Sequence, residues 1–346
     1  MKQIMVALSG GVDSAVAAHL LQKKGYSVSG CTLQLTGLDI TDAQEVANRL
    51  GVPFFSFNEQ IAFRNHVIAD FATCYERGET PNPCIICNKL IKFGLLLEHV
   101  LKMGYEYIAT GHYAKTQYDA ASGRTLLLRA QDKAKDQTYM LYSLTQHQLS
   151  HTLFPLGEFT KPQIRQIATE IGLTNANKPD SQDICFVPDG DYGQFLEGLR
   201  STPYPQGDFV DETGNCLGHH RGIVHYTIGQ RKGLGIALGT PTFVLAKDAR
   251  RNRVILGPES RLFTRRIAAR DINWIACKAP TNGMMVTAKT RYSQKEAEAC
   301  LHMTETGVIA EFKEPQRAPA PGQAMVFYDG DVVVGGGTIV QDGETI

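Results

Sequence analysis

Two groups of residues in this 346-residue chain have types and spacings suited to chemistry. The first is the run Ser-Gly-Gly-Val-Asp-Ser at residues 9–14, which follows an apolar stretch and precedes a helical pattern. Its glycines let the main chain approach a ligand, and the helix offers N–H groups and a positive dipole end to an anion. The run predicts a phosphate site, at which Asp13 would help to hold phosphate-bound Mg²⁺. The alternative is an ordinary glycine turn, which the strict position between strand and helix disfavours.

The second group consists of three cysteines. Cys84 and Cys87 form a Cys-x-x-Cys pair at a predicted helix start, with Lys89 and Lys92 nearby. This setting predicts a lowered thiol pKa and a nucleophilic thiolate. Cys185 lies in a segment, residues 180–186, that is polar at its beginning and apolar at its end. Two thiols that meet in space could relay sulfur: one carries a persulfide, and the other attacks it and ends in a disulfide.

Metal binding is the alternative use of these cysteines. A lone Cys-x-x-Cys can be half of a zinc site, but this chain has no second ligand pair at a matching spacing. The three cysteines together could hold an iron–sulfur cluster with one open iron, and spacing alone discriminates poorly between cluster and relay.

The first half of the chain alternates strand and helix signals. Short apolar runs at residues 4–8, 28–35, 52–57 and 107–110 predict buried parallel strands, and helical spacing occurs at residues 14–24, 42–50, 61–75, 88–103 and 160–171. Thr41 with Gln44, and Thr160 with Gln163, have the spacing of capping boxes. The pattern predicts an α/β fold with a doubly wound parallel sheet, whose ligand lies at the carboxyl ends of the strands.

After about residue 198 the pattern becomes mainly β. Short β-prone runs separated by turn residues occur at residues 243–246, 253–256, 285–290, 308–312, 324–328 and 332–339. We expect three domains: a catalytic domain at residues 1–198, a small basic central domain at 199–268, and a barrel-like domain at 269–346.

Composition narrows the function classes. With 35 basic and 35 acidic side chains the formal charge is zero, which argues against a polybasic binder. Residues 219–270 nevertheless hold 11 Lys or Arg and only 2 Asp or Glu, a candidate anion-binding stretch. Apolar runs are too short for a membrane span or a signal peptide, so we expect a cytoplasmic protein with no membrane partner. Eight cysteines in such a protein favour catalysis or metal binding over disulfides.

The loop at residues 9–14 resembles the PP-loop of N-type ATP pyrophosphatases. Together with further motifs in the same order, it makes the chain similar to tRNA-specific 2-thiouridylases, over nearly the whole length. Those motifs lie at residues 80–93, 109–114 (Ala-Thr-Gly-His-Tyr-Ala), 135–137 (Lys-Asp-Gln), 180–186 and 226–235 (Tyr-Thr-Ile-Gly-Gln-Arg-Lys-Gly-Leu-Gly).

The resemblance implies roles for individual residues. ATP would be bound by Ala7, Leu8, Ser9, Gly10, Gly11, Val12, Asp13, Ser14, Leu33 and Gly111. The tRNA would be contacted by Asn82, Pro83, Cys84, Lys135, Asp136, Gln137, Arg291 and Tyr292, the first three at the flipped base. Cys87 would be the nucleophile and Cys185 the persulfide carrier. The family often has Asp where this chain has Cys84.

The implied reaction is ATP-dependent 2-thiolation of the wobble uridine in lysine, glutamate and glutamine tRNAs. ATP adenylates uridine O2 with loss of pyrophosphate, and the persulfide on Cys185 then supplies sulfur. A Cys87–Cys185 disulfide would remain. The implied partners are therefore tRNA, a protein that donates sulfur, and a disulfide reductant.

Two other classes compete with this interpretation. An amidating ATP pyrophosphatase acting on a small molecule would use neither Cys87 nor Cys185. A non-enzymatic RNA- or metal-binding protein would use Cys84 and Cys87 as ligands and would leave the Ser9–Ser14 loop without a role.

Overall fold

The computed structural model describes residues 2–37, 40–173 and 184–341. Its strands are β1 Gln3–Ala7, β2 Ser27–Gln34, β3 Phe54–Asn58, β4 Tyr107–Ala109, β5 Lys115–Asp119, β6 Arg124–Leu128, β7 Thr152–Leu153, β8 Gly207–Val210, β9 Cys216–His220, β10 Phe243–Asp248, β11 Arg253–Gly257, β12 Phe263–Trp274, β13 Met284–Lys289, β14 Ala297–Met303, β15 Gly307–Arg317, β16 Ala324–Asp329 and β17 Val332–Ile339.

Helices fill much of the first 198 residues. The α-helices are Val12–Lys23, Thr41–Leu50, Gln60–Phe63, Ala69–Glu76, Pro83–Ile86, Leu96–Lys102, Thr138–Leu141, Gln146–Ser150, Lys161–Glu170 and Tyr192–Gly198. Arg64–Ile68 and Cys87–Leu95 are π-helical, and each continues directly from the α-helix before it into the α-helix after it. Short 3-10 turns lie at Ile223–His225 and Glu259–Leu262. Within the described residues, no helix is both long and apolar enough to cross a membrane.

A parallel sheet in the order β3-β2-β1-β4-β7 organises the first domain. The strands are short apolar runs because both faces of the sheet are covered. In β1, Ile4 and Val6 pack into one core cluster, whereas Met5 between them packs into the other. The four predicted strands are thus confirmed, and their carboxyl ends share one edge of the sheet.

The two capping boxes have different outcomes. Gln163 Oε1 accepts a hydrogen bond from Thr160 N at 2.8 Å, as predicted for the helix Lys161–Glu170. The helix Thr41–Leu50 instead begins one residue early, with Ile40 at the N-cap and no side-chain cap. The capping box predicted at Thr41 is therefore wrong, because Thr41 itself already has helical conformation.

The central region contains a four-stranded sheet in the order β10-β11-β8-β9. Its one departure from the predicted antiparallel pattern is the parallel pair β8 and β11. The apolar residues of this sheet share a core with Phe71 and Tyr75 on the helix Ala69–Glu76. The central domain therefore packs directly on the helix that precedes the Cys84–Cys87 region.

The C-terminal strands form a barrel. β12, β15, β14, β13, β16 and β17 follow one another, and β12 also pairs with β17, which closes a six-stranded barrel. The hairpin β5–β6 of the first domain extends this sheet through the pair Leu128 and Val332. That hairpin lies outside the predicted strands, because Thr116 to Asp119 form a polar stretch without an apolar face.

Candidate functional site

The phosphate loop lies at the carboxyl end of β1 and leads into the helix Val12–Lys23. Ser14 Oγ accepts a hydrogen bond from Ser9 N at 3.2 Å, and Ser9 Oγ accepts one from Gly11 N at 3.3 Å. Gly10 has a φ of +74°, and a Cβ there would lie 2.4 Å from Asp42 Cβ. The loop is thus held in a tight turn that requires glycine, as a phosphate cradle does.

Asp13, the predicted Mg²⁺ ligand, has protein partners in this structure. Lys161 Nζ donates to its two carboxylate oxygens at 2.9 and 2.8 Å, and Tyr113 Oη donates to Oδ1 at 2.9 Å. Lys161 is buried, with 7% of its surface exposed. A metal role for Asp13 stays a prediction. The sequence held one signal for Lys161: a cation at the first position of a helix opposes the helix dipole and therefore needs another partner.

The two residues predicted to line the adenosine pocket lie at neighbouring strand ends. Leu33 is near the end of β2, and Gly111 follows β4. A Cβ on Gly111 would lie 2.8 Å from both Asp13 C and Ser14 N, so this glycine is required by the close approach to the phosphate loop. ATP contact by these residues stays a prediction, whereas their position at the strand ends agrees with the sequence analysis.

Cys84 and Cys87 lie on one continuous helical run, Pro83–Ile86, Cys87–Leu95 and Leu96–Lys102, which we call the thiol helix. Asn82 is its N-cap, with Oδ1 accepting from Cys84 N at 3.2 Å, and Pro83 is its first residue. Cys84 is exposed and Cys87 is buried. Asn82 and Pro83, predicted to contact the base, therefore also build the start of this helix.

The predicted lowering of the thiol pKa is wrong for both Cys84 and Cys87, because burial raises the pKa of each. Burial raises the pKa of the Cys87 thiol to about 11, and Lys92 offsets this only in part. Cys87 lies beyond the first turn of the helix and packs with Phe63, Val67 and Ile91, so loss of hydration outweighs the lysine. At neutral pH the free thiol is protonated.

Cys185 lies beside the other two thiols. Its neighbour Phe186 packs in the apolar cluster that contains Cys87 and makes an edge contact with Phe63 at 5.7 Å between ring centroids. Burial and then the neighbouring Cys84 thiol raise the pKa of Cys185, and Cys185 in turn helps to raise the pKa of Cys87. The structure thus brings together cysteines that are about a hundred residues apart. The first part of the predicted Cys185 motif, residues 180–183, lies outside the described residues.

All eight cysteines are free thiols. In the described part of the chain, one set of three His, Cys, Asp or Glu side chains has its ligand atoms within 4.8 Å of one another, and it consists of Asp208, Cys216 and His219 on the β8–β9 hairpin. The three thiols near the thiol helix do not meet that criterion for a single ion. A cluster of several irons is a separate arrangement and stays a prediction.

Lys92 lies near the three thiols and near His112, which is at the carboxyl end of β4. Lys92 lowers the pKa of all three thiols and of His112. His112 follows Gly111, and its Nδ1 is hydrogen-bonded to Thr110 Oγ1 at 2.8 Å. Burial lowers the His112 pKa to about 3, so its ring is neutral. The sequence predicted the proximity of Lys92 to the thiols, whereas His112 was identified only as part of the motif at residues 109–114.

The predicted tRNA-contacting residues from two distant segments meet. Tyr292 Oη donates to Asp136 O at 3.4 Å. The Asp136 carboxylate is buried and accepts from Ala130 N at 3.0 Å and Thr138 Oγ1 at 2.6 Å. Gln137 Oε1 accepts from Tyr113 N at 2.9 Å. Arg291 Nη2 donates to Ile228 O at 3.1 Å and Ala318 O at 2.6 Å.

The residues predicted to contact tRNA differ in how accessible their side chains are. The side chains of Asp136, Gln137 and Arg291 are engaged within the protein, whereas Tyr292 is exposed and Lys135 half-buried. Lys289 Nζ lies 5.7 Å from the centre of the Tyr292 ring. Tyr292 is therefore the member of this set best placed to stack on a base.

The basic stretch of the central region is mostly at the surface. His220 is buried against Asn252 O, with Nε2 at 3.2 Å, and so is not available to a phosphate. The exposed members are His219, Arg221, Arg231, Lys232, Arg250, Arg251, Arg261, Arg265 and Arg266.

Known proteins match the chain along its length. A family model for the tRNA methyl transferase HUP domain matches residues 2–189, one for the tRNA methyl transferase PRC-barrel domain matches 194–258, and one for an aminomethyltransferase β-barrel domain matches 264–339. The tRNA-specific 2-thiouridylase MnmA of Acetivibrio thermocellus is 49% identical over 355 residues, which cover 98% of this chain and 99% of that protein. The chain belongs to the tRNA-specific 2-thiouridylase family.

Two further 2-thiouridylases have similar identity. The 2-thiouridylase of Lachnoclostridium phytofermentans is 47% identical, and the match covers 99% of this chain and 100% of that protein. The 2-thiouridylase of Heliobacterium modesticaldum is 49% identical, and the match covers 98% of this chain and 92% of that protein. The resemblance stated from the motifs is confirmed, and so is the fold, a parallel α/β sheet followed by two mainly-β regions of which the last is a barrel.

Proposed function

We propose that this chain 2-thiolates the wobble uridine of lysine, glutamate and glutamine tRNAs, with ATP as activator and a cysteine persulfide as sulfur source. One observation carries the proposal: Phe186 packs against the apolar cluster of Cys87, and the adjacent Cys185 is close enough to Cys87 to raise the pKa of its thiol. Two neighbouring thiols are what a sulfur relay requires and what an amidating enzyme would not need. Membership of the 2-thiouridylase family supports the substrate class.

ATP would occupy the strand ends around the phosphate loop. The loop N–H groups and the helix Val12–Lys23 would hold its phosphates, with Leu33 and Gly111 beside the adenosine. Mg²⁺ would reach the site bound to the phosphates. Uridine O2 attacks the α-phosphate, pyrophosphate leaves, and C2 then carries AMP as a good leaving group.

Sulfur transfer follows from the thiol pair. The terminal sulfur of a persulfide on Cys185 attacks C2, and AMP departs. Cys87 then attacks the Cys185 sulfur, which releases the 2-thiouridine and leaves a Cys87–Cys185 disulfide. Alternatively, Cys87 attacks first and frees hydrosulfide, which attacks C2. In both routes an external dithiol must reduce the disulfide before the next turnover.

The raised pKa of Cys87 adds a condition to this mechanism. Because the thiol is protonated at neutral pH, it must lose its proton before it attacks. Lys92 is the cation that favours all three thiolates, and we infer that it stabilises the Cys87 thiolate when that thiol attacks.

We also propose the domain division 1–198, 199–268 and 269–346. In this division the central and barrel domains hold the tRNA. The exposed basic side chains of the central region would contact phosphates, and Tyr292 would contact a base.

The test is an anaerobic thiolation assay with unmodified glutamate, lysine and glutamine tRNAs, ATP, Mg²⁺ and a chemically generated persulfide. A glutamate tRNA with cytidine at the wobble position is the matched control. We expect equal amounts of AMP, pyrophosphate and 2-thiouridine with the first three tRNAs and none with the control. Absence of 2-thiouridine from every tRNA would refute the proposal.

Iron content of the same preparation decides between relay and cluster. Activity of iron-free protein supports the persulfide relay. Activity that requires bound iron, and that is lost equally in Cys84→Ser, Cys87→Ser and Cys185→Ser, would replace the relay with a cluster mechanism.

A further inference from the structure

Residues 77–82 join the helix Ala69–Glu76 to the thiol helix, and we call them the strap. The strap ends at Asn82, whose side chain caps the thiol helix through Cys84 N. Asn82 Nδ2 also donates to Met140 Sδ at 3.3 Å. The position of the strap therefore sets where the thiol helix begins and where Cys84 is presented.

The C-terminal barrel holds the middle of the strap. Thr80 N donates to Pro321 O at 2.7 Å, and Gln323 Nε2 donates to Thr80 O at 2.7 Å. Both main-chain polar groups of Thr80 are thus satisfied by one turn of the barrel. A Cβ on Gly322 would lie 2.9 Å from Glu79 Cβ and 3.0 Å from Thr80 N, so the two chains are in direct contact.

That turn is itself fixed to the barrel wall. Gly322 N donates to Ile339 O at 2.9 Å, and Ile339 N donates to Gln323 O at 2.8 Å. Ile339 belongs to β17, one of the strands that close the barrel. A displacement of the barrel would therefore move Thr80 with it.

The central region holds the strap from the other side. Lys247 of β10 is buried, and its Nζ donates to Glu79 O at 3.3 Å and Tyr226 O at 2.8 Å. A Cβ on Gly78 would lie 3.2 Å from Lys247 Cβ, which again indicates close contact. Burying an ammonium against main-chain carbonyls carries a desolvation cost, and burial lowers the Lys247 pKa to about 7.

Ion pairs complete the attachment. Arg77 lies 2.8 Å from one carboxylate oxygen of Glu79, and Arg270 of β12 lies 3.8 Å from the other. The Glu79 side chain is largely shielded from solvent, at 15% exposed. Glu79 and Thr80 therefore meet the first domain, the central region and the barrel within two residues of chain.

We propose that the strap transmits the positions of the central domain and the barrel to the thiol helix, with Gln323 and Lys247 as positioning residues. Both side chains act on main-chain atoms of Glu79 and Thr80, which lie three and two residues before the helix cap Asn82. The two domains then align the thiols with a tRNA that they hold. The effect of the strap on catalysis rests on the proposed function. The attachment of the strap to the two domains rests on the contacts alone.

The test uses Gln323→Ala and Lys247→Met, which remove the donors and leave the main chain intact. Gln117→Ala and Lys278→Met are matched controls, because both side chains are exposed and have no hydrogen bond among the described residues. Three quantities are measured: the rate of iodoacetamide labelling at Cys84 without tRNA, the single-turnover thiolation rate at saturating tRNA, and the Kd for tRNA.

We expect both strap variants to change the Cys84 labelling rate and to lower the single-turnover rate by roughly tenfold, since small displacements of reacting groups are costly. The Kd for tRNA should stay that of the wild type, as should all three quantities in the controls. A merely structural role would not lower the single-turnover thiolation rate while leaving the Kd for tRNA unchanged. A wild-type chain that forms no 2-thiouridine would refute the proposed function, while Cys84 labelling would still test the strap.

Labelling and thiolation rates equal to those of the controls would overturn the proposal, and so would an effect on tRNA affinity alone. Thermal melts accompany each variant. If Lys247→Met fails to fold, Gln323→Ala decides the matter, because it removes one side-chain hydrogen bond from a half-buried position.

Discussion

The phosphate loop and the thiol pocket, our name for Cys84, Cys87 and Cys185 with the apolar residues around Cys87, belong to the same domain but are built in opposite ways. The phosphate loop is one contiguous segment whose main chain and two serines already form the cradle. The thiol pocket combines the thiol helix with Cys185, from segments far apart, and its burial opposes the ionisation that its chemistry needs. An anion site made of N–H groups is preformed in the absence of its ligand. A buried thiol, in contrast, ionises readily only when its surroundings change.

The largest expected effect that would sharpen this contrast is at Gly111. Gly111→Ala puts a Cβ against Asp13 C and Ser14 N and so distorts the phosphate loop without touching a thiol. Displacement of a positioned group by about 1 Å can lower a rate on the order of a hundredfold. We therefore expect the rate of pyrophosphate release to fall by about that factor in Gly111→Ala. Rapid-quench assays with labelled ATP measure it.

Gly198→Ala is the matched control for this variant, because a Cβ at Gly198 meets no atom within 4 Å. Unchanged pyrophosphate release in Gly111→Ala would mean that the loop tolerates displacement and is not a preformed cradle.

A second expected effect concerns the ion pair behind the loop. Lys161→Met leaves the Asp13 carboxylate with the Tyr113 hydroxyl but without its cation. Loss of one partner of a largely buried pair should lower the free energy of unfolding by about 3 kcal/mol, measured by denaturant titration. Adding Asp13→Asn removes the unpaired charge and should restore part of that loss. A single variant as stable as the wild type would show that the pair does not hold the loop.

The third expected effect is on the pH dependence of the thiol pocket. With the Cys87 pKa raised to about 11, the thiol is protonated below that pH and its thiolate fraction should rise about tenfold per pH unit between pH 7 and 10. The labelling rate at Cys87 without tRNA, followed by mass spectrometry, should rise accordingly and not level off in that range. A plateau below pH 8 would mean that the thiol is activated before substrate binds.

The sequence predicted the contiguous features well. The four strands of the parallel sheet and the phosphate loop follow from local patterns, because an apolar run and a glycine turn carry their own structural reasons. The β5–β6 hairpin escaped prediction, since its pairing with β17 depends on residues two hundred positions away. The partner of Asp13 was missed for the same reason, as Lys161 is distant in sequence.

The Cys87 pKa was predicted with the wrong sign because the sequence shows neighbours along the chain and not burial. Lys89 and Lys92 were visible, whereas Phe63 and Val67, which remove water from the thiol, were not. The strap could not be predicted either: Glu79 and Thr80 have no distinctive residue types, and their role follows only from contacts with Gln323 and Lys247.

The most direct test of the central claim, that activation and sulfur transfer depend on different residues, is a single-turnover experiment on Cys185→Ser with unmodified glutamate tRNA, labelled ATP and a persulfide donor. The exposed Cys216 provides the control variant, Cys216→Ser. We predict that Cys185→Ser releases pyrophosphate at the wild-type rate and forms no 2-thiouridine, whereas Cys216→Ser completes both steps. Formation of 2-thiouridine by Cys185→Ser, or loss of pyrophosphate release together with thiolation, would contradict the account.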